Sequence, residues 1–259
     1  ENNPDRVIYL ADARQSMHFI QVFRCARKTG IVPDTTELVH IGFGTMNGKD
    51  GKPFKTRDGG VMRLEYLLKE IDDEMLNKIK ENQKEKENLN IDEAEAEQTA
   101  KTVALAAVKY GDLSNQASKD YIFDIDRFTS FEGNTGPYIL YTIVRIKSIL
   151  SKYEAKGGDI SALKDAIMPA VNAGQKNLML SLAKFNATIE SAYEESAPHK
   201  ICAYIYELAN AFNGFYHDTK ILSEENEELK KSYISLLVLT KEILEACIDM
   251  LGFSAPDRM

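Results

Sequence analysis

The chain has 259 residues, of which 44% are hydrophobic and 28% charged, and its net charge is −8. This composition is typical of a folded globular protein and excludes a low-complexity or disordered chain. No run of about 18 apolar residues is present, so we expect no membrane-spanning helix and no membrane partner. The first residues lack the basic and apolar segments of a secretory signal. The 3 cysteines are scattered, which argues against disulfides or a metal site and favours the cytoplasm.

The negative charge is unevenly distributed along the chain. Acidic side chains are concentrated between residues 69 and 98, whereas basic residues outnumber acidic ones in residues 1–68. We interpret the acidic segment as the solvent-exposed face of helices rather than as a binding site. The net charge therefore does not exclude a nucleic-acid partner elsewhere on the protein.

The first part of the chain has an α/β pattern. Apolar runs at residues 7–10 and 38–41 predict two strands, and helical spacing of apolar residues over 17–26 predicts a helix between them. Gln15 and His18 follow the first strand at its carboxyl end, where ligands bind in open α/β sheets. A glutamine there can bind a polar substrate, and a helix-capping turn is the structural alternative.

A glycine-rich basic loop follows the second strand, at residues 48–60. Glycines let backbone N–H groups approach an anion, and lysine and arginine neutralise phosphate charge. The loop is therefore a candidate to hold a triphosphate and to stabilise charge on a leaving pyrophosphate. The spacing is not that of a Walker loop. A solvated basic hairpin is the alternative interpretation.

The remainder of the chain has helical periodicity, with a turn before Pro137 that favours a helix start. Helices are predicted over residues 61–87, 92–110, 137–154, 159–170, 174–194, 198–216 and 224–251. No comparable strand candidate follows residue 125. The pattern predicts a mostly α protein in which an α/β portion precedes an all-helical bundle.

One helical face in this region has the composition of a nucleic-acid contact. Tyr138, Tyr141 and Arg145 lie at positions i, i+3 and i+7 and so share one face of the helix after Pro137. Tyrosines beside an arginine can stack on splayed bases and hold a phosphate. A core-facing aromatic stripe is the structural alternative.

Several runs, in this order and spacing, resemble the arginyl-tRNA synthetases across nearly the whole chain. They are IYLADARQSMH at 8–18, HIGFG at 40–44, GKDGKPFKTR at 48–57, VKYGDL at 108–113, DYIFD at 120–124, EGNTGPY at 132–138 and LGFSAPDRM at 251–259. The resemblance implies that residues 1–133 are the C-terminal half of a Rossmann-like class I catalytic domain. It implies that residues 134–259 form the helical anticodon-binding bundle named after an Asp-Ala-Leu-Arg (DALR) motif.

The resemblance also implies a ligase that activates arginine with ATP and Mg²⁺ and transfers it to tRNA(Arg). Gln15 would contact the substrate arginine. Lys52, Lys55 and Arg57 would form the catalytic loop that replaces the Lys-Met-Ser-Lys signature of other class I enzymes. The residues expected near ATP are His18, His40, Phe43, Gly44 and Met46.

Contacts with tRNA are implied for the helical part. The residues expected to make them are Tyr138, Tyr141, Arg145, Tyr216 and Met259. One departure is Tyr233–Ile234, which stands where the family usually has an arginine–leucine pair, so one expected positive charge is missing. We expect the full-length protein to be a monomer.

The tetrapeptide HIGF at 40–43 differs from the HIGH signature of class I synthetases in its last residue. It lies at the end of the second strand, not just after the first, and precedes the basic loop, so we do not interpret it as that signature. Because HIGH, the first catalytic strand, the tyrosine–aspartate pair and the tRNA-elbow domain are not in the sequence, we expect a fragment that forms no arginyl-adenylate alone. The alternatives are a stand-alone helical RNA- or protein-binding module without catalysis, or a different nucleotide-dependent transferase.

Overall fold

The protein forms two compact units. The computed structural model describes residues 4–52, 63–85, 92–163 and 166–259. The first unit contains the described residues of 4–52 and 115–124, and the second contains those of 63–114 and 125–259. The sequence boundary predicted near residue 133 stays a prediction.

The first unit is built on a parallel strand pair. Strand β1 (Arg6–Asp12) pairs with β2 (Glu37–Phe43) in a register that runs from Arg6 opposite Glu37 to Asp12 opposite Phe43. Helix α1 (Ser16–Lys28) connects the two strands, as parallel pairing requires a crossover. Both predicted strands and the helix between them are confirmed. The carboxyl ends of β1 and β2 consequently lie side by side.

A second, shorter parallel pair joins two distant segments of the first unit. Strand β3 (Met46–Asn47) pairs with β4 (Tyr121–Ile122). Just before β3, the Gly44 N–H donates to the Ala117 carbonyl at 2.8 Å. A Cβ on Gly44 would lie 2.5 Å from the backbone of Lys119, so only glycine allows this approach. The packing of β3 on residues 115–124 therefore depends on Gly44.

The second unit is helical in its described residues. Its helices are α2 (Leu64–Glu85), α3 (Glu93–Leu113), α4 (Ile125–Phe128), α5 (Gly136–Glu154), α6 (Ala173–Ala183), α7 (Phe185–Glu194), α8 (Pro198–Asp218) and α9 (Glu227–Met250). On α2, residues Leu67, Ile71, Met75 and Ile79 are buried at four-residue spacing, and Glu70, Asp73 and Glu81 are exposed. In the described residues of α2 the acidic side chains thus lie on a solvated helix face, as predicted.

Helices α3, α5, α8 and α9 enclose the core of this unit. The largest fully buried side chains include Tyr110, Ile143, Phe212 and Phe215. The Tyr110 hydroxyl lies 2.5 Å from Asn134 Oδ1 and 2.8 Å from the Cys202 carbonyl. Burial raises the pKa of Tyr110 well above its ordinary value, so the hydroxyl keeps its proton as a hydrogen-bond donor.

Apolar side chains of α9 belong to this core. The residues buried along α9 are Leu236, Leu237, Thr240, Leu244 and Cys247.

The mostly α fold class is confirmed, and no strand occurs after residue 125 in the residues that the structure describes. None of the described helices combines the length and the apolar character needed to cross a lipid bilayer.

The prediction of a helix over residues 159–170 is wrong. The described residues of that segment contain only a 3₁₀ turn, Ser161–Leu163. The carbonyl that ends this turn accepts a hydrogen bond of 2.7 Å from the buried Ser235 hydroxyl. Ser232 Oγ accepts from the Met168 N–H at 2.9 Å. Side chains of α9 thus satisfy backbone groups that local sequence patterns assign to a helix.

Candidate functional site

The carboxyl end of β1 presents Gln15 and His18 to solvent. Gln15 ends the 3₁₀ turn Ala13–Gln15 and directly precedes α1, but its side chain makes no capping hydrogen bond. Both side chains are exposed. Gln15 thus occupies the N-cap position of α1 without capping through its side chain, and its amide can serve another partner.

Asp12 and Arg14 shape the turn that carries Gln15. Asp12 Oδ1 accepts from the Arg14 N–H at 2.8 Å, and Asp12 Oδ2 lies 2.6 Å from Arg14 Nη2. The side-chain hydrogen bond from Arg14, followed by its backbone hydrogen bond, lowers the pKa of Asp12 to about 2. The turn is thus closed by an ionised carboxylate above that pH.

His40 and Phe43 lie on β2, next to this turn. A Cβ on Gly42 would lie 2.9 Å from Ala13 Cα, which shows how closely the turn packs on β2. The His40 ring stacks on Phe19, with centroids 4.5 Å apart and planes 14° apart. Its Nε2 is buried and has no hydrogen-bond partner among the described residues. A buried ring nitrogen of this kind is costly unless a further group pairs with it.

The start of the glycine-rich basic loop is a tight turn. The Gly48 N–H donates to the Lys52 carbonyl at 2.8 Å, and the Gly51 N–H donates to the Gly48 carbonyl at 2.9 Å. Gly51 has a φ of +72°, which favours glycine. Lys52 is exposed, and Lys49 pairs with Asp124 at 3.0 Å.

The other two residues predicted for this loop, Lys55 and Arg57, lie outside the described residues. Gly44 and Met46, predicted near ATP, are half-buried on the chain that leads into the loop. In the parts of the chain that are described, no group of three or more His, Cys, Asp or Glu side chains could hold a metal ion.

Four of the residues predicted to contact tRNA lie together on the helical unit. Tyr138, Tyr141 and Arg145 are half-buried on one face of α5, so neither tyrosine is sealed in the core. Arg145 Cζ lies 4.8 Å from the centre of the Tyr141 ring and 5.5 Å from that of Tyr216 on α8. We call Tyr138, Tyr141, Arg145 and Tyr216 the aromatic–arginine cluster. Its guanidinium is held by cation–π contacts from two helices.

Tyr216 has the most exposed ring of this cluster. It is 41% exposed and packs on a buried neighbour. It stacks on Phe212 with ring centroids 6.0 Å apart and planes 19° apart. Tyr216 is thus contacted by Phe212 and by Arg145, and its exposed part can contact a base.

Sequence reasoning missed the polar residues of α8 that complete this surface. The Tyr138 hydroxyl donates to Asn210 Oδ1 at 2.6 Å, and its ring meets that of Tyr206 at 5.7 Å. Asn213 bonds to Arg145 Nη1 and to the Tyr138 hydroxyl. Tyr206, Asn210 and Asn213 have the spacing i, i+4, i+7, so a polar stripe on an otherwise apolar helix was the available signal.

Met259 is the fifth residue predicted to contact tRNA. It is half-buried at the end of the chain. The segment before it is anchored by Lys147, which lies 3.2 Å from Asp257, and by an ion pair between Arg258 and Glu95. The position of the chain end is thus set by α5 and α3.

Comparison with protein families gives two consecutive matches. The model described as tRNA synthetases class I (R), catalytic domain, matches residues 1–125. The model of the DALR anticodon binding domain matches residues 139–259. The aromatic–arginine cluster has Tyr141, Arg145 and Tyr216 inside the second match and Tyr138 immediately before it.

Curated relatives agree with both matches. An arginine–tRNA ligase of Alkaliphilus oremlandii is 54% identical over 257 residues, which cover 99% of this chain and 42% of that protein. An arginine–tRNA ligase of Francisella tularensis is 43% identical over 259 residues, again 42% of its length. The chain therefore spans about two fifths of the relatives it matches.

Solved structures share the fold. The arginyl-tRNA synthetase of Plasmodium falciparum aligns with a TM-score of 0.80 and 27% identity, over 99% of this chain and 42% of that one. The enzyme of Thermus thermophilus aligns with a TM-score of 0.80 over 98% of this chain and 41% of its own, and at 24% identity it supports the fold alone. With the tandem family matches and the identity along nearly its whole length, the chain belongs to the arginyl-tRNA synthetase family, as a part that joins class I catalytic-domain sequence to a DALR domain.

Proposed function

We propose that this chain is the part of an arginine–tRNA ligase that binds tRNA(Arg) through the aromatic–arginine cluster and contributes the basic loop to arginine activation. The observation that carries the proposal is the position of Arg145 over Tyr141 and Tyr216 on a partly exposed face. Aromatic rings can stack on bases that leave the anticodon loop, and a guanidinium can bind phosphate or a base edge.

The first unit supports the part of the proposal that concerns arginine and ATP. The Gln15 amide is exposed at the carboxyl end of β1, where it can bind the substrate arginine. Phe43 is 41% exposed at the adjacent end of β2, and the buried His40 Nε2 has no described partner. These groups fit an adenosine with a flat ring and hydrogen-bonding edges.

The basic loop would act on the phosphates of ATP. Lys52, with Lys55 and Arg57, would neutralise charge as pyrophosphate leaves. Mg²⁺ is usually held by substrate phosphates and few protein ligands, so we assign its binding to ATP and not to a protein cage. We further propose a cytoplasmic location and a monomeric full-length enzyme.

The test is binding of the 259-residue chain to fluorescently labelled tRNA(Arg) at several salt concentrations. Arg145→Ala should weaken binding by about 1–3 kcal/mol, roughly fivefold to 150-fold, because it removes the guanidinium that contacts RNA. The matched control is Arg24→Ala, which removes an exposed arginine of α1 and should change affinity little. Both variants should keep the wild-type circular dichroism spectrum.

Competing functions give different results in the same assay. A general RNA-binding module would bind tRNA(Arg) and other tRNAs equally. A protein-binding module would bind no tRNA, and Arg145→Ala would have no effect. Preference for tRNA(Arg), lost in Arg145→Ala and kept in Arg24→Ala, supports the ligase proposal.

A further inference from the structure

We infer that Asn213 is a positioning residue that sets the orientation of the Arg145 guanidinium for RNA, an inference that rests on the proposed function. Asn213 lies on α8 and is half-buried between α8 and α5. Its side chain bonds to three different groups of α5: Arg145, Tyr138 and Thr142. It is thus the central polar contact between the two helices that form the aromatic–arginine cluster.

The protons around Asn213 have only one consistent arrangement. The Tyr138 hydroxyl gives its proton to Asn210 Oδ1 at 2.6 Å. The Thr142 hydroxyl gives its proton to the Tyr138 carbonyl at 3.0 Å. Both hydroxyl oxygens can therefore only accept from Asn213, whose Nδ2 lies 2.9 Å from the first and 3.3 Å from the second. A group with two N–H donors is required at this point.

On its other side, Asn213 faces a group that can only donate. Arg145 Nη1 donates to Asn213 Oδ1, and a guanidinium has no acceptor. The site thus requires two donors and one acceptor on one planar group, which is a primary amide. A carboxylate in its place would set acceptors against the Tyr138 and Thr142 oxygens, and an apolar side chain would remove both the acceptor for Arg145 and the two N–H donors.

The hydrogen bond between Arg145 and Asn213 fixes the orientation of the Arg145 guanidinium. With Nη1 bound to Asn213 and Cζ over the rings of Tyr141 and Tyr216, the guanidinium plane has little freedom to rotate. Its remaining N–H groups make no other hydrogen bond among the described residues and can bind a phosphate or a base. Without Asn213 the long side chain would regain its rotamers, and binding would have to order it again.

The inference predicts that replacing Asn213, which is uncharged, changes the salt dependence of tRNA binding. Asn213→Ala in the 259-residue chain should weaken binding to tRNA(Arg) by about tenfold. It should also reduce the slope of log Kd against log salt by up to about 1, although no charge is removed, because Arg145 no longer reaches its phosphate reliably. The matched control Asn186→Ala, on the exposed surface of α7, should change neither quantity.

Two further variants separate positioning from folding. Asn213→Gln keeps the amide and should retain part of the affinity, whereas Asn213→Asp should bind less well than Asn213→Ala because its carboxylate also neutralises Arg145. In the Arg145→Ala background, Asn213→Ala should cause no further loss, since the residue acts through the arginine. Thermal unfolding of each variant identifies any that fail to fold, and the Gln and Asp variants then decide the question.

The outcomes distinguish this inference from the proposed function. If Arg145→Ala weakens binding but Asn213→Ala leaves affinity and salt slope unchanged, or costs as much with Arg145 absent, Asn213 does not act through Arg145 and the inference is overturned. If Arg145→Ala itself has no effect, the cluster is not the tRNA contact, and both proposals are overturned.

Discussion

The two units carry their candidate binding residues on different kinds of support. In the first unit, α1 has no buried residue, and Leu10 of β1 is 66% exposed. In the helical unit, α5 and α8 bury most of their apolar side chains, and Phe212 beneath Tyr216 is fully buried. Side chains on packed helices are held in fewer rotamers than side chains on a lightly packed strand pair. The comparison indicates that the geometry of the aromatic–arginine cluster depends on its core. Gln15 depends mainly on the turn after β1, and Phe43 on the pairing of β2 with β1.

The largest expected effect is the difference in core stability between the units. Leu208→Ala on α8 removes a fully buried side chain and should lower the free energy of unfolding by about 2–5 kcal/mol. Leu10→Ala makes the same chemical change at a side chain that is 66% exposed and should stay within about 0.5 kcal/mol. Urea unfolding followed by circular dichroism measures both. Equal costs would show that the contrast in packing does not govern stability.

A smaller effect is expected at the helix starts that lead into the two candidate sites. Thr135 caps α5, because its Oγ1 accepts from the Tyr138 N–H at 3.2 Å and donates to the Ser130 carbonyl at 2.6 Å. Thr135→Ala should therefore cost about 1 kcal/mol of stability. Gln15→Ala at the start of α1 removes no capping bond and should not lower the melting temperature. A loss of equal size in the glutamine variant would mean that Gln15 has a structural role.

The smallest effect concerns protonation in the first unit. The pKa of Asp12 is lowered from 3.8 to about 2, first by the side-chain hydrogen bond from Arg14. Because this folded-state pKa is depressed, its contribution to stability is present above pH 3.8 and is lost as the pH falls towards 2. Carboxyl-detected NMR titration of Arg14→Ala should show the Asp12 pKa returning towards 3.8. An unchanged pKa would exclude the arginine as the cause.

The sequence by itself determined the features that depend on local periodicity. The strands at 7–10 and 38–41 and the face shared by Tyr138, Tyr141 and Arg145 were predicted, because side-chain direction follows from helix and strand geometry. The order and spacing of the sequence runs at 8–18, 40–44, 48–57 and beyond also indicated the family. Only the structure showed that the Gln15 side chain is exposed and forms no capping hydrogen bond. From sequence, a glutamine before a helix can either cap the helix or bind a ligand.

Only the tertiary structure decided what distant segments do together. The pairing of β3 with β4 joins two-residue strands across more than 70 residues, far below the length at which alternation predicts a strand. The described segment around Ser161–Leu163 is not an α-helix, because serines of α9 form hydrogen bonds with its backbone. Asn213 reaches Arg145 across 68 residues, and its role depends on the protons of three neighbours. Such contacts follow from how helices pack, which no single stretch of sequence specifies.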